Sequence, residues 1–358
     1  MLLRSIAIFL IIHTFCVNLM AQKAENSFSA FNKIFLDVDK NIYTELPKGE
    51  KVAAIWTQAI YWDMAMIAYQ NSKNKKDLEF MNKVYEGNYK HYDGFNWNNT
   101  EVWFIYDDIM WWVISFARAY ELTENPTYLA HAILGFERVW AGTPKVKDNG
   151  AYDPERGGMY WGWKSDQRGK TACINYPSVV AAMHLYRATK DKSYLDKAKQ
   201  VYQWSKKELF DTNDGKIGDH QVPGHKTNWT VNLYNQATCI GSAVLLYEET
   251  KDKSYLNDAK LATDYVMLKM CDKDQILPYK NGIEQGIYTA IFAQYIKQLF
   301  PHDASGKYKK WMISNVNLAL ENKDARGLMD KNFHRKPSEN TEVYDASAAV
   351  ALLQILNL

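Results

Sequence analysis

The segment Arg187-Ala-Thr-Lys-Asp-Lys-Ser-Tyr-Leu-Asp-Lys-Ala198 recurs in the chain as Glu121-Leu-Thr-Glu-Asn-Pro-Thr-Tyr-Leu-Ala-His-Ala132 and as Glu248-Glu-Thr-Lys-Asp-Lys-Ser-Tyr-Leu-Asn-Asp-Ala259. Each copy has a Thr followed five residues later by a Tyr, and successive copies lie 66 and 61 residues apart. A short polar turn with Ser or Thr near the start of the following helix, as a cap, is typical of a connection between two helices. Recurrence at this spacing predicts stacked helical hairpins.

Extending the pattern gives six pairs of helices. One member of each pair is apolar nearly all round and is predicted to be buried, over 53–70, 107–121, 172–188, 231–248, 284–300 and 340–357. The other member is amphipathic and is predicted to lie outside, over 77–92, 126–141, 192–210, 253–270 and 307–322, with 27–45 as the sixth. Six inner and six outer helices predict an all-α fold, an (α/α)6 barrel.

The N-terminus has the pattern of a secretory signal peptide over residues 1–21. Arg4 supplies the positive charge, an apolar run follows, and cleavage after Ala21 leaves 22–358 as one barrel domain. The apolar run is too short for a membrane span. We therefore expect an exported protein, periplasmic or extracellular. A lipid anchor through Cys16 is the less favoured alternative because the residues before it suit that signal poorly.

The composition limits the classes of molecule that the protein is expected to bind. The 43 Lys and Arg residues nearly balance the 41 Asp and Glu residues, which argues against nucleic acid or an anionic membrane as the main partner. Three cysteines remain after the signal, without disulfide or metal-site spacing. The 12 Trp, 24 Tyr and 14 Phe fit either a carbohydrate-binding protein or a large helical core. We expect a monomer without a cofactor.

Loop lengths locate the functional end of the barrel. Inner-to-outer connections are short, whereas the outer-to-inner loops, such as 93–106 and 142–171, are long and rich in Gly, Trp, Asn and Asp. Long loops of this kind usually carry function. They all lead to the N-termini of the inner helices, so they share one end of the barrel, which we call the mouth.

Two adjacent carboxylates, Asp107 and Asp108, stand at the mouth, flanked by aromatic residues. Neighbouring like charges in a poorly solvating site should have separated pKa values, as acid-assisted displacement at a sugar carbon requires. Adjacent helical side chains also suit the roughly 5–5.5 Å carboxyl separation of retaining glycosidases. The alternative is a helix N-cap, for which one Asp would be enough.

Other candidate residues lie near the same end. Uncharged amides and a phenol at Tyr234, Asn235 and Gln236 suit sugar hydroxyls, although capping and core hydrogen bonding are equally open to them. Trp161, in a glycine-rich loop that runs to Trp163, offers a stacking surface, and Asn175 is either a cap or a ligand. His220 and His225 near Asp219 form only a weak metal pattern, so we expect no metal.

The chain resembles glycoside hydrolase family 76, the bacterial and fungal α-1,6-mannanases. The motifs that carry the likeness are Trp56-Thr-Gln-Ala59, Tyr106-Asp107-Asp108 with Trp111-Trp112, Gly157-Gly158 with Trp161, Lys170, Asn175, Gly218-Asp219 and Asn232-Leu-Tyr-Asn-Gln236. The resemblance implies an (α/α)6 barrel and endo-hydrolysis of α-1,6-mannan backbones with retention, without metal or cofactor.

By the same resemblance, Asp107 is the expected nucleophile and Asp108 the expected general acid and base. Asp219 is the expected sugar-contacting carboxylate, and Trp111 and Tyr106 flank the site. The chain departs from the family pattern at three positions, Ile109, Ala237 and Thr289, where the family often has Glu, Gly and Lys.

Two alternatives remain from the sequence. One is another helical-barrel carbohydrate enzyme, such as an unsaturated-uronyl hydrolase or a sugar epimerase. An acidic substrate would call for cations at the mouth, where Arg156, Arg168 and Lys170 are available. The other is a mannan-binding protein without turnover.

Overall fold

Twelve helices dominate the part of the chain that the structure, a computed structural model, describes: residues 20–162, 169–282 and 284–356. The inner helices are α2 (Ile55–Ser72), α4 (Tyr106–Thr123), α6 (Ala172–Thr189), α8 (Leu233–Thr250), α10 (Tyr288–Leu299) and α12 (Val343–Ile355). The outer helices are α1 (20–35), α3 (Lys75–His91), α5 (Pro126–Ala141), α7 (Lys192–Leu209), α9 (Lys253–Tyr265) and α11 (Lys307–Glu321).

The inner helices form a closed ring. Each contacts the next one along the chain, and α12 returns to contact α2. Burial follows the predicted patterns: every residue of α6 from Ala172 to Leu185 is buried, whereas α7 buries one face only. Close approach within the ring depends on small residues; a side chain at Gly241 would place its Cβ 2.2 Å from the Tyr295 ring. The predicted (α/α)6 barrel is confirmed.

The repeated turns that predicted the fold connect inner to outer helices through two residues. The first, Lys190 or Lys251, takes the left-handed conformation that ends the inner helix. The second, Asp191 or Asp252, caps the outer helix by accepting a hydrogen bond from the backbone N–H two residues later. The cap is therefore this Asp rather than the predicted Ser or Thr, because its carboxylate reaches the unpaired amides of the first turn.

The segment expected to be helical over 27–45 is helical only to residue 35. A short antiparallel hairpin follows, with Leu36–Asp37 (β1) paired to Ile42–Tyr43 (β2). The helix cannot continue because the Asp37 carboxylate accepts hydrogen bonds from the backbone of Asp39 and Lys40, which stabilises a turn instead. A second antiparallel pair, Lys170–Thr171 (β3) with His220–Gln221 (β4), connects two loops of the mouth.

Predictions for the N-terminus fall largely on residues 1–19, including Cys16, which lie outside the described residues. The signal peptide therefore stays a prediction. Within the described ranges, no helix combines the length and the apolar character that crossing a bilayer requires.

Candidate active site

A cavity of about 680 Å³ occupies the mouth of the barrel. Its wall is built mainly from the first turns of the inner helices and from the long loops that precede them. The second residue of four successive inner helices, α2, α4, α6 and α8, lines it: these residues are Trp56, Asp107, Cys173 and Tyr234. The repeat therefore brings chemically different side chains to one place.

Asp107 and Asp108 both line this cavity, in the first turn of α4. The residue at the N-cap position is Ile105, so neither Asp occupies it. The start of the helix is fixed by the glycine-rich loop, because the Tyr106 amide donates a hydrogen bond to the Trp161 carbonyl at 3.2 Å. The capping alternative therefore does not account for the pair.

The Asp107 carboxyl lies among aromatic and apolar groups. Burial raises its pKa to about 7, against the lowering effect of hydrogen bonds from Cys173, Trp161 and Trp111. The Trp161 indole Nε1 donates to Oδ2 at 3.3 Å. These donors stabilise the ionised form, as an attacking carboxylate requires.

Asp108 is the weaker acid of the pair. Burial raises its pKa well above the ordinary value, and the charges of Asp107 and then Glu284 raise it further. Around neutral pH the pair therefore favours a protonated Asp108 beside an ionising Asp107. With separated proton affinities of this kind, one carboxyl can donate a proton while the other is ionised.

A third acid, Asp219, lines the cavity from the loop before α8. Its Oδ1 accepts a hydrogen bond from Asn232 at 2.9 Å and a longer one from Asn235 at 3.4 Å, and its Oδ2 lies 2.9 Å from His220 Nδ1. Lys280 Nζ in turn donates to the Asn232 side chain at 2.6 Å. These contacts hold the Asp219 carboxylate in one orientation.

His220 belongs to this network through the contact between its Nδ1 and the Asp219 carboxylate. Across the described residues, no three His, Cys, Asp or Glu side chains come together as a metal-binding group.

Among the predicted binding residues, Trp111, Trp161 and Tyr234 line the cavity. Trp111 packs against Trp56 with ring centroids 5.9 Å apart, and Tyr234 packs against Tyr288 at 4.4 Å. These paired rings give the cavity two aromatic walls.

Four other predicted residues stand behind the wall. Tyr106 points away and donates to the buried Asp148 carboxylate, and Asn175 bonds both backbone groups of Met159 at 2.7 and 2.9 Å. The remaining two, Asn235 and Gln236, are fully buried; the first reaches Asp219 and the second faces the backbone of Gly215 and Ile217. The prediction that these four residues line the cavity is therefore wrong. Successive helical residues point about 100° apart, so neighbours of a cavity residue face the core instead.

Sequence reasoning did not single out Glu284, Cys173 and Tyr288 as cavity residues, although the structure places all three in the wall. Glu284 lies in a loop without a recognisable motif. Cys173 and Tyr288 could have been predicted from their positions in the first turns of α6 and α10, because the first turn of each inner helix faces the mouth.

Two of the three cations that an acidic substrate would need lie away from the cavity wall. Lys170 is buried, donates to Asp153 at 2.8 Å and supports the glycine-rich loop, while Arg156 is exposed outside the cavity wall. Arg168 and Trp163 lie outside the described residues. Along the described wall there is no Lys, Arg or His side chain to pair with a uronic acid.

The three departures from the family pattern are core positions. Ile109, Ala237 and Thr289 are buried, and none of them belongs to the described cavity wall. These replacements therefore change the packing behind the site and leave its described surface intact.

Comparison with known proteins identifies a matching family and chains of the same fold. The model of glycosyl hydrolase family 76 matches residues 21–357. No curated protein sequence matches the chain. Among solved structures, the α-1,6-mannanase GH76A of Salegentibacter sp. HEL1_6 has 24% identity and a TM-score of 0.83 over 94% of this chain and 98% of that chain.

Two further structures have the same fold. An inactive variant of the Salegentibacter enzyme, with two consecutive aspartates replaced by asparagine, is in complex with α-1,6-mannotriose; it has 23% identity and a TM-score of 0.84 over 94% of this chain and 99% of that one. The family 76 mannosidase Bt3792 of Bacteroides thetaiotaomicron has 18% identity and a TM-score of 0.80, covering 94% and 98%.

Proposed function

Because the chain belongs to glycosyl hydrolase family 76, we propose that it is an endo-acting α-1,6-mannanase that retains the anomeric configuration. The observation that carries this proposal is the Asp107–Asp108 pair in one cavity, with Asp108 the weaker acid. The Salegentibacter relative, made inactive by replacing two consecutive aspartates, supports the same reading.

In the first step, the Asp107 carboxylate attacks the anomeric carbon of the mannosyl unit. The glycosidic C–O bond breaks, and the departing oxygen takes the proton of Asp108. In the second step, the Asp108 carboxylate removes a proton from water while the water oxygen bonds to the anomeric carbon. The ester bond to Asp107 then breaks, and its electron pair returns to that carboxylate.

Substrate binding follows from the cavity wall. Trp111, Trp161 and Tyr234 present aromatic surface to the C–H faces of mannose, and Asp219 offers a fixed acceptor for its hydroxyls. The described part of the wall combines carboxylates with aromatic rings and has no Lys, Arg or His side chain. A chain of uncharged hexoses fits such a surface.

The test is cleavage of linear α-1,6-mannan, followed by product sizing and by proton NMR of the anomer first released. We expect a spread of oligosaccharides, α-configured at first release. Asp107→Asn and Asp108→Asn should each lower kcat by at least about a thousandfold with unchanged helical circular dichroism. The matched control is Asp196→Asn, an exposed position on α7 that should retain full activity.

Near-wild-type turnover by Asp107→Asn would refute the assignment of the nucleophile. Calorimetric binding of intact mannan without new reducing ends would instead favour a binding protein that lacks turnover.

We also propose that the protein acts outside the cytoplasm, on the basis of the signal-peptide pattern of residues 1–21, and that it is a monomer. N-terminal sequencing of the exported protein should begin at Gln22, and light scattering should give a single-chain mass. Retention of residues 1–21 would contradict the export proposal.

A further inference from the structure

The cavity contains a carboxylate that the proposed reaction does not use directly. Glu284, in the loop before α10, lines the same wall as Asp107 and Asp108. Its Oε2 accepts a hydrogen bond from the Trp56 indole Nε1 at 2.7 Å. The donor is itself a cavity residue, so both members of this pair face the site.

Glu284 is held by its backbone as well as by its side chain. Its φ of +66° lies in the left-handed region that a residue with a side chain seldom adopts. Two residues later, Gly286 packs so tightly on α12 that an added Cβ would come within 2.6 Å of the Asp345 Cα. The loop therefore cannot easily shift, and the carboxylate stays where the fold places it.

We propose that Glu284 is a positioning residue for the hydrolysis proposed above: fixed by Trp56, its negative charge holds the proton on Asp108 until the departing oxygen takes it. The inference rests on the proposed function. It assigns Glu284 no bond to the substrate and no part in proton transfer.

The surroundings of Asp108 support this role. The titratable groups that share its cavity are Asp107, Cys173, Asp219, Tyr234, Glu284 and Tyr288, and Tyr92 at the end of α3 also interacts with it. After burial, Asp107 and Glu284 are the charges that raise the pKa of Asp108. No Lys, Arg or His of the described wall opposes them.

The two carboxylates act at different stages of the reaction. Once Asp107 is bonded to the sugar, it no longer carries a charge, so its effect on Asp108 disappears. Glu284 forms no bond in either step, so it stays in the same cavity wall as Asp108 and still raises the pKa of that carboxyl after Asp107 has been esterified. A higher pKa makes Asp108 a stronger base toward water in the second step.

The experiment compares kcat/KM across pH for the wild type and for Glu284→Gln, which keeps an oxygen acceptor for Trp56. We expect the alkaline limb, which reports loss of the Asp108 proton, to move to lower pH by roughly half to one unit. The acid limb should stay in place, because Glu284 is not among the groups that shift the pKa of Asp107. Glu284→Asp, which keeps the charge, should restore much of the alkaline limb.

A second variant separates charge from hydrogen bonding. Trp56→Phe removes the indole donor and keeps the carboxylate, so it should move the alkaline limb less than Glu284→Gln does. An unmoved alkaline limb in Glu284→Gln would overturn the inference, even if activity fell, because a role in binding or packing alone predicts that result.

A direct titration keeps the inference testable if mannan is not the substrate. With Asp labelled with ¹³C at the carboxyl carbon, the Asp108 signal is assigned by its loss in Asp108→Asn. Its midpoint should move to lower pH in Glu284→Gln. An unchanged midpoint would refute the role of Glu284, whereas absent cleavage of mannan by the wild type would refute only the proposed function.

Discussion

Replacing Asp107 by Asn is expected to stabilise the protein increasingly as the pH rises from about 4 to about 7. Burial raises the pKa of Asp107 to about 7 from an ordinary 3.8, so the folded state holds this proton more tightly than the unfolded state does. The wild type therefore loses stability as the pH rises through that range, because the unfolded state ionises there while the folded state still holds its proton. An amide of the same shape removes this cost.

The size of the effect follows from the shift. Roughly three pKa units at about 1.4 kcal/mol each set an upper limit of about 4 kcal/mol above pH 7. Solvent in the cavity screens the charge, so we expect about 1–3 kcal/mol, or roughly 2–6 °C in Tm. At pH 4 the folded state holds the proton and the unfolded carboxyl is only about half ionised, so the gain should be below about 1 kcal/mol.

The assay is calorimetric unfolding of the wild type and Asp107→Asn at several pH values between 4 and 8. The control is Asp153→Asn, which should destabilise the protein at neutral pH instead of stabilising it. Burial opposes ionisation of Asp153, but Lys170 and backbone amides lower its pKa to about 2. This variant should lose at least about 2 kcal/mol at pH 7, and less as the pH falls toward 2. A Tm difference for Asp107→Asn that is constant with pH, or negative at pH 8, would refute the reasoning.

Three further outcomes follow from single contacts. Trp161→Phe removes an indole donor to Asp107, so the acid limb of kcat/KM, which we expect near pH 7 in the wild type, should move to higher pH by as much as about one unit. Asn175→Ala removes two hydrogen bonds to the Met159 backbone, so it should lower the free energy of unfolding, measured in urea, by about 2–4 kcal/mol. A loss of activity with unchanged stability would instead indicate that Asn175 contacts the substrate. Gly158→Ala should lower Tm by several degrees, since φ is +76° and the new Cβ would lie 2.4 Å from the Trp204 ring; an unchanged Tm would contradict the strain argument.

The fold could be predicted because its signal is local and repeated. The Thr and Tyr of the 187–198 pattern recur in two more turns, and each turn connects an all-apolar helix to an amphipathic one. Hydrophobic periodicity along a helix indicates which of its faces are buried, so the sequence alone separates the inner helices from the outer ones. The prediction failed where side chains compete with the helix for backbone amides, as Asp37 does after residue 35.

The site could be predicted only in part. Asp107 and Asp108 stand out as neighbours in sequence, and neighbours in a first turn must lie near each other in space. Glu284 lies more than 170 residues further along the chain and reaches the same cavity only because the inner helices form a closed ring. No local sequence pattern predicts that position. Tyr106, one residue from the pair, faces Asp148 instead, because helix geometry separates residues that sequence places together.

The sequence by itself therefore determined the helices, their two layers and the end of the barrel that carries the acids. Only the tertiary structure decided which side chains reach the cavity and how firmly each acid holds its proton. The physical reason is range. Periodicity and capping act over a few residues along the chain, whereas burial and charge act through space and depend on groups that only the closed barrel assembles.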